Sequence, residues 1–431
     1  MKKTLLSTLV LSSLGLFSLQ VAAENLQNIY QLATQKDPTV LRAAASRDAA
    51  AAGIDVSRAA LLPQLNLSAD FGRSDQDSHS FDGRNTLGGT LTLNQSLFNW
   101  NNWKNLSRAE KFALQSQTSY DSEVQNLIVR VTQTYFDVLK AADDLGFAQA
   151  EKRSIERQLE QTKQRFAVGL TAITDVHEAQ AQFDSAVARE IIAENALENA
   201  REFLREITGQ YHAELDSLNT SRFAPGTPTP AVVRDWVTMA QENNLLLKAQ
   251  RVLLDIAELD IERAKAGHYP TLGLNARLGS SKPSGFDRQD SSSVGISLDV
   301  PIFSGGGTQA GVEVARANYV EVSETLELNH RAVIRQVRNS FNGVNALISS
   351  IRAFEQAVVS AESALNATEA GFEVGTRTIV DVLLSTRNLF EARRNLSSAR
   401  YDYILAMLQL KQAAGNLTEQ DLLAVNQALG N

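Results

Sequence analysis

The chain is predicted to be mostly α-helical with a small β component of one-sided apolar strands, assembled twice over on one plan. Three observations predict this. Landmarks of the sequence return at a nearly constant offset. One proline-free stretch is too long for an ordinary compact domain and keeps its apolar residues at heptad spacing. Four short segments alternate apolar and polar residues.

The repeat comes first because it organises the rest. "LPQLNLSADFG" (Leu62–Gly72) returns as "YPTLGLNARLG" (Tyr269–Gly279), and "LTLNQSLF" (Leu91–Phe98) as "ISLDVPIF" (Ile296–Phe303). "RFAVGLTAITDV" (Arg165–Val176) returns as "GFEVGTRTIVDV" (Gly371–Val382), identical at 6 of 12 positions, and Gly209 returns as Gly415. The offsets lie between 205 and 207 residues, in one order along the chain. The expected halves are 24–224 and 231–431, joined by a proline-rich linker at 225–230 whose prolines cannot sit inside a helix.

Each half should run helix, strand, loop, strand, very long helix, short loop, helix. Residues 1–23 have the form of a secretory signal peptide: Lys2 and Lys3, an apolar stretch from Leu5 to Val21, and small residues Ala22 and Ala23 before Glu24. A helix is expected over about 38–62. Strands follow at about 64–73 and 86–98, and in the second half at about 271–280 and 293–303. In the first, Leu65, Leu67, Ala69 and Phe71 fall on one face and Asn66, Ser68 and Asp70 on the other. In the fourth, Val294, Ile296, Leu298, Val300 and Ile302 oppose Gly295, Ser297 and Asp299. Such alternation suits a sheet with one buried face or a barrel strand facing lipid. Phe98, Trp100 and Trp103 stand where strand becomes helix, at a position fit for an interfacial girdle or for the core.

From Asn99 to Phe166 there is no proline, so one helix of about 100 Å is possible. Val124, Ile128, Val131, Tyr135, Val138, Ala142 and Leu145 alternate spacings of four and three, as do Ile334, Val337, Phe341, Val344, Ile348 and Ile351. Both series are heptad seams and predict supercoiled neighbours. Shorter helices at about 38–62 and 174–209 should lie end to end along the long one.

Composition narrows the function classes. The 431 residues include no cysteine, so packing alone must hold an exported chain together. A net charge of −8 disfavours non-specific nucleic-acid binding. No enzyme constellation is present and no cofactor or metal is expected. "GGGTQA" (Gly305–Ala310) has a dinucleotide-fingerprint spacing, but no second parallel strand follows to complete the unit. His79, His177, His212, His268 and His330 form no metal spacing. Four amphipathic strands cannot close a barrel in lipid, because open edges leave backbone groups unsatisfied. Either they are not in a membrane or several chains share one barrel.

The signal peptide, the duplicated plan and the motifs "LLPQLNLSADF", "RFAVGLTAITDV" and "VGTRTIVDVL" together resemble the TolC family of outer-membrane exit ducts. The resemblance extends from "ENLQNIYQLA" to "NLTEQDLLAVNQAL". It implies a homotrimer in which four strands per chain build one twelve-stranded barrel, continued by a coiled helical tunnel across the periplasm of a Gram-negative cell. It implies partnership with a periplasmic adaptor and an inner-membrane pump. Drugs, bile-salt-like compounds or exported proteins would be the cargo, in multidrug efflux and type I secretion. The alternative is a periplasmic coiled-coil adaptor or structural protein without a membrane barrel.

On that plan the two similar loops lie at the periplasmic end. Gly169 and Gly375 permit the turns, and the Phe and Val beside each should pack the tip. The resemblance implies a gate lock between Thr174 and Asp175 of the first loop and Arg377 of the second. It also implies an acidic pore constriction on the last long helix. Two departures stand out: Phe372 where a tyrosine would add a hydroxyl link to the aspartate, and Leu384 where a second acidic ring would follow Asp381.

Overall fold

The computed structural model describes residues 24–74, 84–427 and 429. The expected signal peptide, and the loop residues 75–83, lie outside the described residues.

Two helices of extreme length carry the architecture. α3 is Trp100–Ala167, 68 residues, and α7 is Gly307–Glu373, 67 residues. α2 (Pro38–Ala59) and α4 (Ile173–Thr208) both pack along α3; α6 (Leu245–Lys265) and α8 (Ile379–Ala414) both pack along α7. Three short helices are additional to the expected plan: α1 (Leu26–Lys36), α5 (Val233–Asn243) and α9 (Glu419–Asn426). α1 stops at Asp37 because Pro38 follows; the Asp37 carboxylate then caps α2 by accepting from the Thr39 and Val40 amides. Asn244 breaks α5 from α6 in the same way, accepting from Leu247 N at 3.2 Å.

The heptad seams are buried where they cross neighbours. Ile128, Val131, Tyr135 and Val138 are buried, as are Val337, Val344, Ile348 and Ile351. The first seam departs from the expectation at Ala142, which is exposed, and resumes at Ala148, Ile155, Leu159 and Thr162. Below that point it also admits the buried polar residues Glu151 and Gln158. Glu151 accepts from Arg189 at 2.9 Å, and Gln158 donates to Thr386 at 3.0 Å. The lower seam thus binds α3 to α4 and α8 by polar contacts as well as by packing, although Gln158 Oε1 and Arg189 Nε are buried without a hydrogen-bond partner.

A belt around the middle ties chain ends to the long helices. The Tyr135 hydroxyl faces the Glu24 and Asp216 carbonyls at 3.1 and 2.8 Å. His212 is buried, with Nδ1 2.6 Å from Glu24 Oε2 and Nε2 2.8 Å from Thr208 Oγ1. It is a structural histidine. Tyr403 holds the segment between the halves, donating to the Gly226 carbonyl at 2.8 Å and accepting from its amide at 2.9 Å.

The strands form one antiparallel sheet in chain order: β1 (Gln64–Ser74), β2 (Arg84–Phe98), β3 (Thr271–Pro283) and β4 (Gln289–Asp299). Residues 300–303, which the sequence reading places in the last strand, do not belong to it, because Pro301 has no N–H to extend the ladder. Register places Leu65, Leu93, Ala276 and Val294 in one row across the sheet, and Leu67, Leu91 and Leu278 in the next. The apolar residues therefore share a face. Leu65, Leu67, Phe71, Leu87, Leu278, Val294, Ile296 and Leu298 on it are exposed in the single chain. The chain's own helices leave this face uncovered, as they would the outer face of a barrel strand. Trp100 and Trp103 are also exposed, at the strand-to-helix bend, where core packing would have buried them. Among the described residues no helix is long and apolar enough to cross a membrane.

Candidate tunnel mouth

The site is built from two helix hairpins, α3–α4 and α7–α8, whose tips lie at the ends farthest along the chain from the sheet. The two tips share one backbone solution. At the first, the amides of Val168, Gly169 and Leu170 donate to the carbonyls of Gln164, Phe166 and Arg165. At the second, the amides of Val374, Gly375 and Thr376 donate to those of Ala370, Phe372 and Gly371. Each pattern needs one residue in the left-handed region, supplied by Gly169 (φ 78°) and Gly375 (φ 79°).

The side chains do not follow the backbone's symmetry. The expectation that Phe and Val pack both tips is corrected: Val168 and Val374 are 70% and 75% exposed. Phe166 is 42% exposed, and only Phe372, at 9%, is buried. Phe372 belongs to the buried apolar cluster that includes Leu365, Ile379, Val382 and Leu383, and it is also contacted by Arg165, which the sequence reading did not single out. Its guanidinium carbon sits 4.6 Å from the Phe372 ring centroid, and Nη1 donates to the Phe372 carbonyl at 3.3 Å. A signal for it existed. Aligning the two loops places Arg165 against Gly371, a long cation against no side chain.

The repeat also places Asp175 and Asp381 at matching positions, each in the first turn of its helix. Thr378 gives α8 a capping box: the Asp381 carboxylate accepts from the Thr378 amide at 3.0 Å and its hydroxyl at 2.9 Å, while Thr378 Oγ1 accepts from the Asp381 amide at 3.3 Å. The Thr378 amide and then its hydroxyl hold the Asp381 carboxyl below its ordinary value, with the charge of Arg377 adding to them. The first tip has Ala172 where Thr378 would be, so α4 lacks a side-chain cap, and the Asp175 carboxylate accepts from Thr171 instead.

Among the described residues, Arg377 makes no hydrogen bond or ion pair with Thr174 or Asp175 of the same chain. Its stem lies over Gly371, where an added Cβ would sit 2.7 Å from Arg377 Cγ. On α8, Ile379, Val382, Leu383 and Thr386 face the neighbouring helices and are buried. Asp381 is half-buried and Leu384 is 48% exposed, on the opposite side. Leu384 is therefore not a packing residue within one chain.

The family profile described as "Outer membrane efflux protein" matches residues 29–210 and again residues 236–416. The chain belongs to the outer membrane efflux protein family. It is similar to the outer membrane protein TolC of Vibrio cholerae, with 48% identity over 99% of each chain. It is also similar to TolC of Escherichia coli K12, with 45% identity over 99% of this chain and 89% of that one. The alkaline protease secretion protein AprF of Pseudomonas aeruginosa is 33% identical over 91% of this chain and 85% of its own. Among solved structures, CusC superposes with a TM-score of 0.81 at 16% identity, covering 91% of this chain and 92% of that one. The Campylobacter jejuni outer-membrane channel CmeC gives 0.80 at 16%, covering 94% and 89%. These two establish the fold alone.

Membership in the outer membrane efflux protein family places the exposed apolar sheet face in the outer membrane and the long helices in the periplasm. The chain is an outer-membrane exit duct. The alternative of a periplasmic adaptor without a barrel is set aside by the family match, which covers both halves.

Proposed function

We propose that three copies of this chain close one twelve-stranded barrel and one helical tunnel, and that the hairpin tips form a closable lower mouth. The observation that carries this is the sheet: β1 and β4 are open edges beside a lipid-facing apolar surface. Unpaired backbone groups in hydrocarbon cost several kcal/mol each, so the edges must pair with other copies. Each half, 24–224 and 231–431, would supply one pair of strands and one segment of tunnel wall. Detergent-extracted protein is expected to have the mass of a trimer. A stable monomer by mass measurement would overturn the shared barrel.

In this reading the mouth docks a periplasmic adaptor that couples the duct to an inner-membrane pump. Small toxic molecules pass through it, and so do exported proteins, as the name of the relative AprF suggests for that protein. The exposed tip residues Val168, Leu170 and Val374 suit such docking, since apolar side chains at a hairpin end are otherwise uncovered.

The gate lock would form between copies. Arg377, with no partner from Thr174 or Asp175 in its own chain, would reach the Thr174–Asp175 turn of a neighbouring copy. Its planar fork can hold a carboxylate and a second acceptor together. One exposed link of this kind is worth only about 0–1 kcal/mol. Three symmetric copies acting on a two-state mouth still shift it. Arg377→Ser is expected to raise single-channel conductance in a planar bilayer and to increase antibiotic leakage. Unchanged values of both would count against a lock at Arg377.

A further inference from the structure

Arg165 and Gly371 hold the same place in the two repeated tips and are used in opposite ways. Gly371 leaves space. A Cβ there would crowd Arg377 Cγ at 2.7 Å, so the absence of a side chain lets Arg377 fold across the last turn of α7. Arg165 fills space. It reaches from the last turn of α3 to the last turn of α7, a contact spanning 207 residues of sequence.

The chemistry of that contact suits the phenylalanine. The Phe372 side chain has no polar atom, so it offers a neighbour only its ring and its main-chain carbonyl. Arg165 uses both, with the guanidinium 4.6 Å from the ring centroid and Nη1 on the carbonyl at 3.3 Å. A planar cation can stack and donate at once, which an ammonium does less well. The same carbonyl accepts from the Gly375 amide at 3.2 Å, so Arg165 bonds to the atom that also shapes the second turn. This contact adds to the apolar cluster that already buries Phe372 beside Ile155 and Leu159 of the first hairpin, whereas Phe166 lies outside that cluster and stays exposed.

We infer that Arg165 is a positioning residue of the mouth: a strut between the two hairpins of one chain that holds Phe372, and through it the Arg377 and Asp381 turn, in the closed arrangement. The inference rests on the reading of the tips as a closable mouth. It differs from the lock at Arg377, because the strut acts within one chain and through an apolar residue.

Single-channel recording of the purified full-length protein in a planar bilayer tests it. Arg165→Ala is expected to raise the fraction of time spent open about fivefold or more, the low end of ordinary coupling between two states. Arg165→Lys should fall between the two, keeping a cation over the ring and losing the fork. Phe372→Leu keeps an apolar plug and removes the ring, so it should open the channel by a similar factor. Adding Arg165→Ala to Phe372→Leu should then change little. If Arg165→Ala yields no inserted channels, Arg165→Lys and Phe372→Leu carry the same test.

Arg377→Ser serves as the reference. If it opens the channel while Arg165→Ala and Phe372→Leu do not, the strut is overturned and the mouth stands. If none of the variants opens the channel, the mouth reading fails and the strut with it. If Arg165→Ala and Phe372→Leu open the channel additively, Arg165 does not act through Phe372 and the inference is wrong.

Discussion

Gly415→Ala is expected to destabilise the protein far more than Gly209→Ala, although the two glycines are repeats of each other. Both end a helix in the left-handed region, Gly209 at φ 73° and Gly415 at φ 74°. An alanine at either place meets the ordinary left-handed penalty of about 1–2 kcal/mol. At Gly209 nothing lies within 4 Å of the added methyl. At Gly415 it would lie 2.4 Å from Asn243 C, 2.5 Å from Asn243 O and 2.6 Å from Asn244 N. Those atoms are main chain, at the elbow between α5 and α6, and cannot rotate away. The elbow is itself tied to the end of α8, with Asn244 Nδ2 donating to the Ala413 carbonyl at 3.0 Å. Around it pack Trp236, Ala240, Leu247, Leu410, Ala413 and Ala414. Moving a packed backbone adds about 1–3 kcal/mol per subunit. Assembled protein recovered from membranes, and its midpoint in denaturant, should fall sharply for Gly415→Ala and slightly for Gly209→Ala. Equal effects would mean that the elbow gives way without cost.

The contrast between these glycines shows what the repeat could and could not reveal. Backbone grammar was legible because it is local. A glycine after a helix, a proline after Asp37 and alternating residues in a strand each constrain their own neighbourhood. The duplicated tips share a hydrogen-bond pattern for that reason. Side-chain partners were less legible. Arg165 meets Phe372 through the fold and not through the chain, and Gly415 meets Asn243 only because α5 exists. That short helix was missed, since its 11 residues give a helical period little room to declare itself. The burial of Phe372 against the exposure of Phe166 was illegible for the same reason. Identical letters in identical turns acquired different neighbours. The face shared by Asp381 and Leu384 needed only helical spacing, and it was legible without any structure.

Leu384→Asp is expected to strengthen block by a trivalent cation added from the periplasmic side, and Asp381→Asn to abolish most of the block expected of the unaltered protein. The argument begins with the cap. Because the Asp381 carboxylate is bonded by the Thr378 amide and hydroxyl, it is fixed in position and held below its ordinary pKa. It is therefore charged at neutral pH. If three copies face one another across the proposed mouth, like charges raise each other's cost of ionisation, and a bound cation relieves it. Leu384, exposed one turn further along the same face, would then form an apolar collar that resists wetting. An aspartate there adds a second acidic ring and removes the collar. Block should tighten by about tenfold or more, since even partly screened charges a few ångström from a trivalent ion contribute more than that factor requires. Asparagine is the informative change at 381, because its side-chain oxygen can still accept from the Thr378 amide, so the helix start survives while the charge is lost. Leu384→Ala separates the two effects of Leu384→Asp: it should raise conductance by widening the collar, without tightening the block. Cation selectivity should fall with Asp381→Asn and rise with Leu384→Asp. Should Asp381→Asn leave both block and selectivity as they were, Asp381 does nothing beyond capping α8, and the constriction lies elsewhere along the tunnel.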